Sequence, residues 1–309
     1  MPVEFLIRDN QGTRDLPDAA ESIRFARELI EQEGIVALLG PLFSTNSEQV
    51  GPVVTQLRRP MIPASSGQNV TTVGGKFVFL IVAPSSAQAA TMAEFVTKED
   101  ELNMKTAAIL LQTDDVYSAN IAGAFEENLL KSGGEIVGNE VYQRGDRTFD
   151  AQLMNIKAAA PDALFISGFN PEAPLIMAQA RGMGIESIFI GGDGWDEPEK
   201  LLGTLDDNAP LEGSYFIRDF STESAEAAPF VQAYTAMFMM PPDGPAAWGY
   251  DAMSVLAIAM ENAGTLEPDA VRDALANITD YQGASAIAGY DEDRTLLKAL
   301  QFTQFVMGR

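Results

Sequence analysis

Short apolar runs alternate with longer amphipathic stretches along the whole 309-residue chain. The runs are bounded by Gly, Pro and Asp, and the stretches between them repeat their apolar residues at helical spacing, as in residues 19–30. The strand candidates are residues 3–7, 35–39, 77–82, 106–111, 163–167, 187–190 and 213–217. This alternation predicts an α/β fold built on mainly parallel, Rossmann-like sheets.

Helix starts are marked beside several of these runs. Residues 45–48 and 85–88 have the pattern of capping boxes, and Asn170 before Pro171 predicts an N-cap followed by a proline in the first turn. In open α/β sheets, ligands bind beyond the carboxyl ends of the strands, where helix N-termini offer N–H groups and the positive end of a dipole. We therefore expect the binding residues in loops that follow the strand candidates.

Composition excludes many functional classes. The net charge is −24, from 20 Lys and Arg against 44 Asp and Glu, so the surface repels nucleic acid and anionic lipid. The absence of His and Cys excludes zinc fingers, thiol nucleophiles and Ser-His-Asp triads. No phosphate-binding or nucleophile-elbow motif, membrane-spanning run or signal-peptide pattern is present. We expect no cofactor, no metal, no nucleic acid partner and no insertion of this chain into a membrane.

Six segments in chain order carry a resemblance to a known family. They are GPLFSTNS (40–47), PMIPASSGQN (60–69), TDDVYSAN (113–120), SGFNPEAP (167–174), FIGGDGWDEP (189–198) and AWGYDAM (247–253). Together they resemble the branched-chain amino-acid-binding family, the type I periplasmic solute-binding proteins of ABC importers. The resemblance implies two Rossmann-like lobes joined by three crossovers, with the ligand in the cleft between them.

The resemblance also implies lobe boundaries and an incomplete first lobe. The first lobe would comprise residues 1–84 and 221–287, and the second residues 85–220 and 288–309. Family members begin with a strand and a helix before the stretch that matches the start of this chain, so we expect that unit and the signal sequence to be missing. The missing strand would lie between residues 3–7 and 35–39. The full-length protein would be periplasmic, or extracellular and membrane-anchored.

Ligand contacts in the first lobe follow from the same resemblance. Ser44 would donate its hydroxyl to the ligand α-carboxylate, beside a helix N-terminus that favours an anion. Ser65, Ser66 and Gly67 match a segment whose backbone N–H and C=O groups hold the carboxylate and the ammonium of an amino acid. The alternatives are local: Ser44 caps its helix or satisfies its own loop, and the Ser-Ser-Gly segment is a polar turn.

In the second lobe, the resemblance implies three side-chain contacts. Asp193 would pair with the ligand ammonium, a charge-assisted contact worth about 1.5 to 3 kcal/mol. Tyr117 would cover the ligand with its ring and donate its hydroxyl. Asn170 stands where many amino-acid binders carry a second Tyr, which would change the pocket. The alternatives are a turn Asp among glycines, an exposed Tyr at a helix start and a structural N-cap.

The implied function is solute capture. A small zwitterion such as an amino acid would be bound and presented to the permease of an ABC importer by a monomeric protein that is not an enzyme. A ligand-sensing receptor or regulator with the same fold is the first alternative, and an attached helix-turn-helix or membrane-spanning segment would favour it. An α/β enzyme that works with carboxylates is the second, and it would need a paired acid and base that the sequence lacks.

Overall fold

A computed structural model describes residues 3–10, 19–98, 100–196 and 198–306. The chain forms two compact units. Unit 1 comprises Met1–Ala83 and Pro245–Lys298, and unit 2 comprises Pro84–Gly244 and Ala299–Arg309. The chain therefore passes from one unit to the other three times, as the resemblance implies.

Apart from Pro84, which falls in unit 2 rather than in the first lobe, the unit boundaries differ from the expected lobe boundaries in two places. Residues 221–244 belong to unit 2 rather than to the first lobe, and residues 288–298 belong to unit 1 rather than to the second. The second difference has a clear physical reason, because residues 286–298 form a hairpin that pairs with the strand at 279–282. Backbone hydrogen bonds thus hold this segment in unit 1.

Helices and strands are numbered in chain order. The helices are α1 (Ala19–Glu31), α2 (Ser44–Gln56), α3 (Val70–Gly74), α4 (Ser85–Thr97), α5 (Val116–Lys131), α6 (Asp150–Ala159), α7 (Glu172–Gly182), α8 (Pro198–Gly203), α9 (Ala228–Phe238), α10 (Gly244–Ala263) and α11 (Pro268–Ala276). The strands are β1 (Leu38–Leu39), β2 (Met61–Ile62), β3 (Thr106–Gln112), β4 (Glu135–Tyr142), β5 (Ala163–Ile166), β6 (Ile188–Gly191), β7 (Tyr215–Arg218), β8 (Thr279–Gln282), β9 (Ala286–Tyr290), β10 (Leu296–Lys298) and β11 (Gln301–Gln304).

Unit 2 is a three-layer α/β structure. Its sheet has the order β11-β7-β6-β5-β3-β4, and all pairs are parallel except β11 with β7. Successive residues of β3 enter opposite cores: Ala107 and Ile109 pack with α4 and α5, whereas Ala108 and Leu110 pack with α6 and α7. Both faces are covered, which is why the inner strands are continuous apolar runs. The predicted parallel α/β fold is confirmed.

Unit 1 has much shorter strands. β1 pairs in parallel with β2, and β8, β9 and β10 form a separate antiparallel sheet. A cavity of about 660 Å³ is lined by residues 3–8, 33–43 and parts of α1 and α10. The cavity borders both residues 3–7 and residues 35–39.

Three strand predictions in unit 1 are wrong or too long. Residues 3–7 form no strand, and only Leu38 and Leu39 of residues 35–39 do. Residues 77–82 are fully buried but form only an isolated bridge, from Val78 to Met61. A strand exists only where a neighbouring backbone supplies its hydrogen bonds, and no strand in the described part of the chain pairs with residues 3–7.

The predicted helix caps are also wrong. The cap residues of α2 and α4 are Phe43 and Pro84, which lie two residues and one residue before the expected caps Thr45 and Ser85, and neither makes a side-chain cap hydrogen bond. α7 begins at Glu172 after Pro171, so Asn170 does not cap it. Of the side chains proposed as caps, Ser85 Oγ and both amide atoms of Asn170 have no hydrogen-bond partner among the described residues.

Candidate functional site

The N-terminus of α2 meets the loop of residues 65–67 in unit 1. The buried Oγ of Ser44 accepts a hydrogen bond from the backbone N–H of Gly67 at 3.0 Å. A Cβ at position 67 would lie 2.6 Å from that oxygen, so only glycine permits this approach. Ser65 donates to Ser47 Oγ at 3.0 Å, which binds the loop to the first turn of the helix.

This arrangement can bind an anion. Ser44, Ser65 and Ser66 are all buried, at the positive end of a 13-residue helix. Because Ser44 Oγ accepts the Gly67 N–H, its own proton can be donated, and no acceptor for it is found among the described residues. Ser44 therefore neither caps α2 nor bonds within its own loop, which were the two local alternatives for this residue.

Asp193 occupies a short 3-10 turn, Asp193–Trp195, directly after β6 in unit 2. The side-chain amide of the buried Gln88 makes two contacts with it: Nε2 donates to Asp193 Oδ2 at 2.8 Å, and Oε1 accepts from the Asp193 N–H at 3.2 Å. Asp193 is 9% exposed. Gln88 therefore fixes both the main chain and the carboxylate of this residue.

Tyr117 lies in the first turn of α5 and is buried, not exposed as its alternative reading requires. Its hydroxyl accepts from the Gly194 N–H at 3.1 Å, and its ring centroid lies 5.0 Å from that of Phe169. Burial, and secondarily the charge of Asp193, raises the pKa of Tyr117 well above its usual value. The hydroxyl stays protonated and remains a donor at neutral pH.

Asn170 is 3% exposed, and neither atom of its side-chain amide has a hydrogen-bond partner in the described residues. Buried amides normally have partners, so this side chain is suited to a ligand or a bound water. Structure therefore brings Tyr117, Asn170 and Asp193 together in one unit, through the contacts of Tyr117 with Phe169 and Gly194. Ser44, Ser65, Ser66 and Gly67 form the corresponding group in unit 1.

Gln88 is one residue of the candidate site that the sequence did not indicate. It was interpreted as the fourth residue of a capping box, whereas its side chain contacts Asp193, 105 residues away. One signal could have found it: Gln88 lies on the stripe of α4 that carries the buried Met92 and Ala93. A polar side chain on a buried stripe needs a specific partner.

In the residues that the structure describes, no group of three or more carboxylates is placed to hold a metal ion. No described helix combines the length and the apolar character needed to span a membrane.

The chain belongs to the periplasmic binding protein family, whose profile it matches over residues 1–309. The predicted resemblance to the branched-chain amino-acid-binding group of type I binding proteins is confirmed by its relatives. The leucine-, isoleucine-, valine-, threonine- and alanine-binding protein of Pseudomonas aeruginosa is 23% identical, over 94% of this chain and 76% of that protein. Proteins of this family bind substrates and are not enzymes.

Two crystal structures show the same fold. The leucine-binding protein LivK of Thermotoga maritima has a TM-score of 0.87 and 28% identity, over 94% of this chain and 83% of that one. LivJ of Streptococcus pneumoniae, solved with isoleucine, has a TM-score of 0.86 and 28% identity, over 98% and 84%. Both are substrate-binding proteins of the same group.

Proposed function

We propose that this protein captures an amino acid or a similar small zwitterion and delivers it to an ABC importer. The carboxylate is bound by the Ser44 hydroxyl, the α2 N-terminus and the backbone of residues 65–67. The ammonium is bound by Asp193. The observation that carries the proposal is the pair of hydrogen bonds between Gln88 and Asp193. One holds the buried carboxylate at Oδ2 and the other holds the backbone N–H, and a buried carboxylate positioned in this way suits a cationic group.

The names of the relatives support the same chemistry. The Pseudomonas aeruginosa relative and both proteins of the crystal structures are described as binding amino acids. Donors on one group of residues and a carboxylate on the other match the two charges of an amino acid. Delivery to a permease, a monomeric state and an extracytoplasmic location are proposed from the family, with no nucleic acid partner and no cofactor.

Titration calorimetry with the amino acid that most stabilises the protein in a thermal-shift screen tests the proposal. Asp193→Asn should weaken binding at least about tenfold, because the ammonium loses its counter-charge while the side-chain shape is kept. Asp207→Asn, on an exposed Asp of the same unit, is the matched control and should change nothing. Unchanged affinity in Asp193→Asn, or no stabilisation by any of the twenty amino acids, would contradict the proposal.

Ser44→Ala tests the contact with the ligand carboxylate separately from the contact with the ligand ammonium. The variant should weaken binding of the amino acid more than that of its α-amide, because the lost hydroxyl donor serves the anion. Ser132→Ala, at an exposed serine, is the control. Equal losses for the acid and the amide would remove Ser44 from the carboxylate site.

A further inference from the structure

Three buried polar side chains lie at the carboxyl ends of neighbouring strands in unit 2. Gln112 is the last residue of β3, Tyr142 is the last residue of β4, and Asn170 follows β5 in the next loop. These strands are adjacent in the order β5-β3-β4. The side chains are 1%, 2% and 3% exposed. They lie at the edge of the sheet where α/β proteins bind ligands.

Four of their polar atoms have no hydrogen-bond partner among the described residues: Gln112 Oε1, Tyr142 Oη, Asn170 Oδ1 and Asn170 Nδ2. The orientation of Gln112 is fixed, because its Nε2 donates to Asp114 Oδ1 at 3.1 Å. Its Oε1 is therefore held as an acceptor. Buried polar atoms without partners cost free energy, so a built group of them indicates a bound polar molecule.

Gly168 shows that two of these atoms converge. A Cβ at this position would lie 1.8 Å from Tyr142 Oη and 2.7 Å from Gln112 Oε1. Only glycine leaves room for both oxygens, and Asn170 follows two residues later in the same loop. The loop of residues 168–170 also contacts the Asp193 turn, because the Gly168 carbonyl lies 3.1 Å from the Cβ position of Gly194. The unpaired atoms thus adjoin the proposed ammonium site.

The surrounding charges select the kind of group that can bind. Burial, followed by the charges of Glu172, Asp114 and Asp115, raises the pKa of Tyr142 well above its usual value, and Arg144 alone opposes this. Arg144 is itself paired with Asp115 at 3.2 Å. The excess of negative charge disfavours an anion, and the Tyr142 hydroxyl stays protonated as a donor. A cation would match the acceptors but leave Tyr142 Oη and Asn170 Nδ2 without an acceptor.

We propose that Gln112, Tyr142 and Asn170 form a subsite for a neutral group that both donates and accepts hydrogen bonds, the side-chain carboxamide of an amino acid. This inference rests on the proposed function. The amide nitrogen donates to Gln112 Oε1 and Asn170 Oδ1, and the amide oxygen accepts from Tyr142 Oη and Asn170 Nδ2. An aliphatic side chain leaves all four atoms unpaired, and sites built to hydrogen-bond a ligand reject such analogues strongly.

Calorimetry of the whole chain with asparagine, glutamine, leucine and aspartate tests the subsite. Leucine has the shape of asparagine without its polar atoms, and aspartate replaces the amide with a charge. We expect asparagine or glutamine to bind at least about tenfold more tightly than leucine and aspartate. Leucine binding as tightly as the amides would overturn the subsite, and would mean that the four atoms hold only water.

Two variants connect the preference to these residues. Tyr142→Phe and Asn170→Leu should each reduce the amide-to-leucine affinity ratio at least about threefold, whereas Tyr234→Phe, at a half-buried tyrosine of the same unit, should not change it. An unchanged ratio in both variants contradicts the proposal.

The same titrations separate the subsite from the function that it rests on. If leucine binds in an Asp193-dependent manner without an amide preference, the subsite is wrong and solute capture stands. If none of the four amino acids binds and no other amino acid stabilises the protein, both are wrong.

Discussion

The two units bury apolar runs equally well, yet only unit 2 joins them into a long sheet. Residues 77–82 in unit 1 and residues 163–166 in unit 2 are all at most 1% exposed. The second run is β5, which has a strand on each side, whereas the first forms a single bridge to Met61. An apolar run encodes burial, but a strand also requires neighbouring backbones in register.

One side of β1 has no strand partner among the described residues of unit 1. Leu38 and Gly40 donate to Pro60 and Ile62 on the β2 side, each at 2.9 Å. Because alternate residues of a parallel ladder point to opposite sides, the N–H and C=O of Leu39 point away from β2. No strand in the described residues pairs with that side, and Leu39 lines the 660 Å³ cavity.

Hydrogen exchange should show the largest difference between the units. We expect the amides of Ala108, Ile109 and Leu110 to be protected at least about a thousandfold more than the Leu39 amide. The former lie in a strand paired on both sides, and the latter can open locally without breaking a sheet. Mass spectrometry of peptides covering residues 35–39 and 106–111 measures this. Equal protection in a monomer would contradict this expectation and show that the Leu39 amide is stably hydrogen-bonded in solution.

The same Phe→Ala substitution should lower the free energy of unfolding more in unit 2 than in unit 1, although this difference is smaller than the one expected in hydrogen exchange. Phe165 is fully buried and stacks on Phe125 at 4.4 Å between ring centroids, whereas Phe5 lines the unit 1 cavity and is 61% exposed. Phe165→Ala should lower the free energy of unfolding of unit 2 by about 3 to 5 kcal/mol. Phe5→Ala should change that of unit 1 by at most about 0.5 kcal/mol.

The two tryptophans make this comparison measurable. Trp195 is buried in unit 2 and Trp248 in unit 1, and the chain has no others. In a Trp248→Phe background, urea unfolding followed by fluorescence reports unit 2, and a Trp195→Phe background reports unit 1. A large loss from Phe5→Ala would mean that residues 3–7 are packed in solution.

The sequence predicts unit 2 better than unit 1 for a physical reason. Its buried runs became β3, β5, β6 and β7 with ends displaced by one or two residues, because each has partners within the chain. β4 was missed, since it is an edge strand whose residues are largely polar or half-exposed. A continuous apolar run indicates a strand buried on both faces and a strict apolar–polar alternation one buried on one face, and β4 has neither pattern.

The candidate site could be predicted in part. Motifs that match the family in chain order indicated Ser44, residues 65–67, Tyr117 and Asp193 as candidates. Each of these residues lies in or beside a loop that follows a strand candidate. Gln88 and the unpaired atoms of Gln112 and Tyr142 could not be found this way, since their roles depend on contacts between distant segments. The capping-box pattern of residues 85–88 predicted a local partner for Gln88, whereas its side chain binds the distant Asp193.

The smallest expected effect concerns a buried charge in unit 2. Burial raises the pKa of Asp196 from 3.8 to about 7, opposed by Arg218 at 3.7 Å and reinforced by Asp219, Asp193 and Asp243. The native state therefore binds more protons than the unfolded state between about pH 4 and pH 7, so stability falls as the pH rises through this window. From pH 5 to pH 7.5 the loss should be on the order of 2 kcal/mol.

Asp196→Asn should flatten this dependence, as measured by urea unfolding with the Trp195 reporter, whereas Asp207→Asn, at an exposed Asp, should retain it. If Asp196→Asn keeps the full pH dependence, another group in unit 2 titrates and the charge of Asp196 is compensated in the native state.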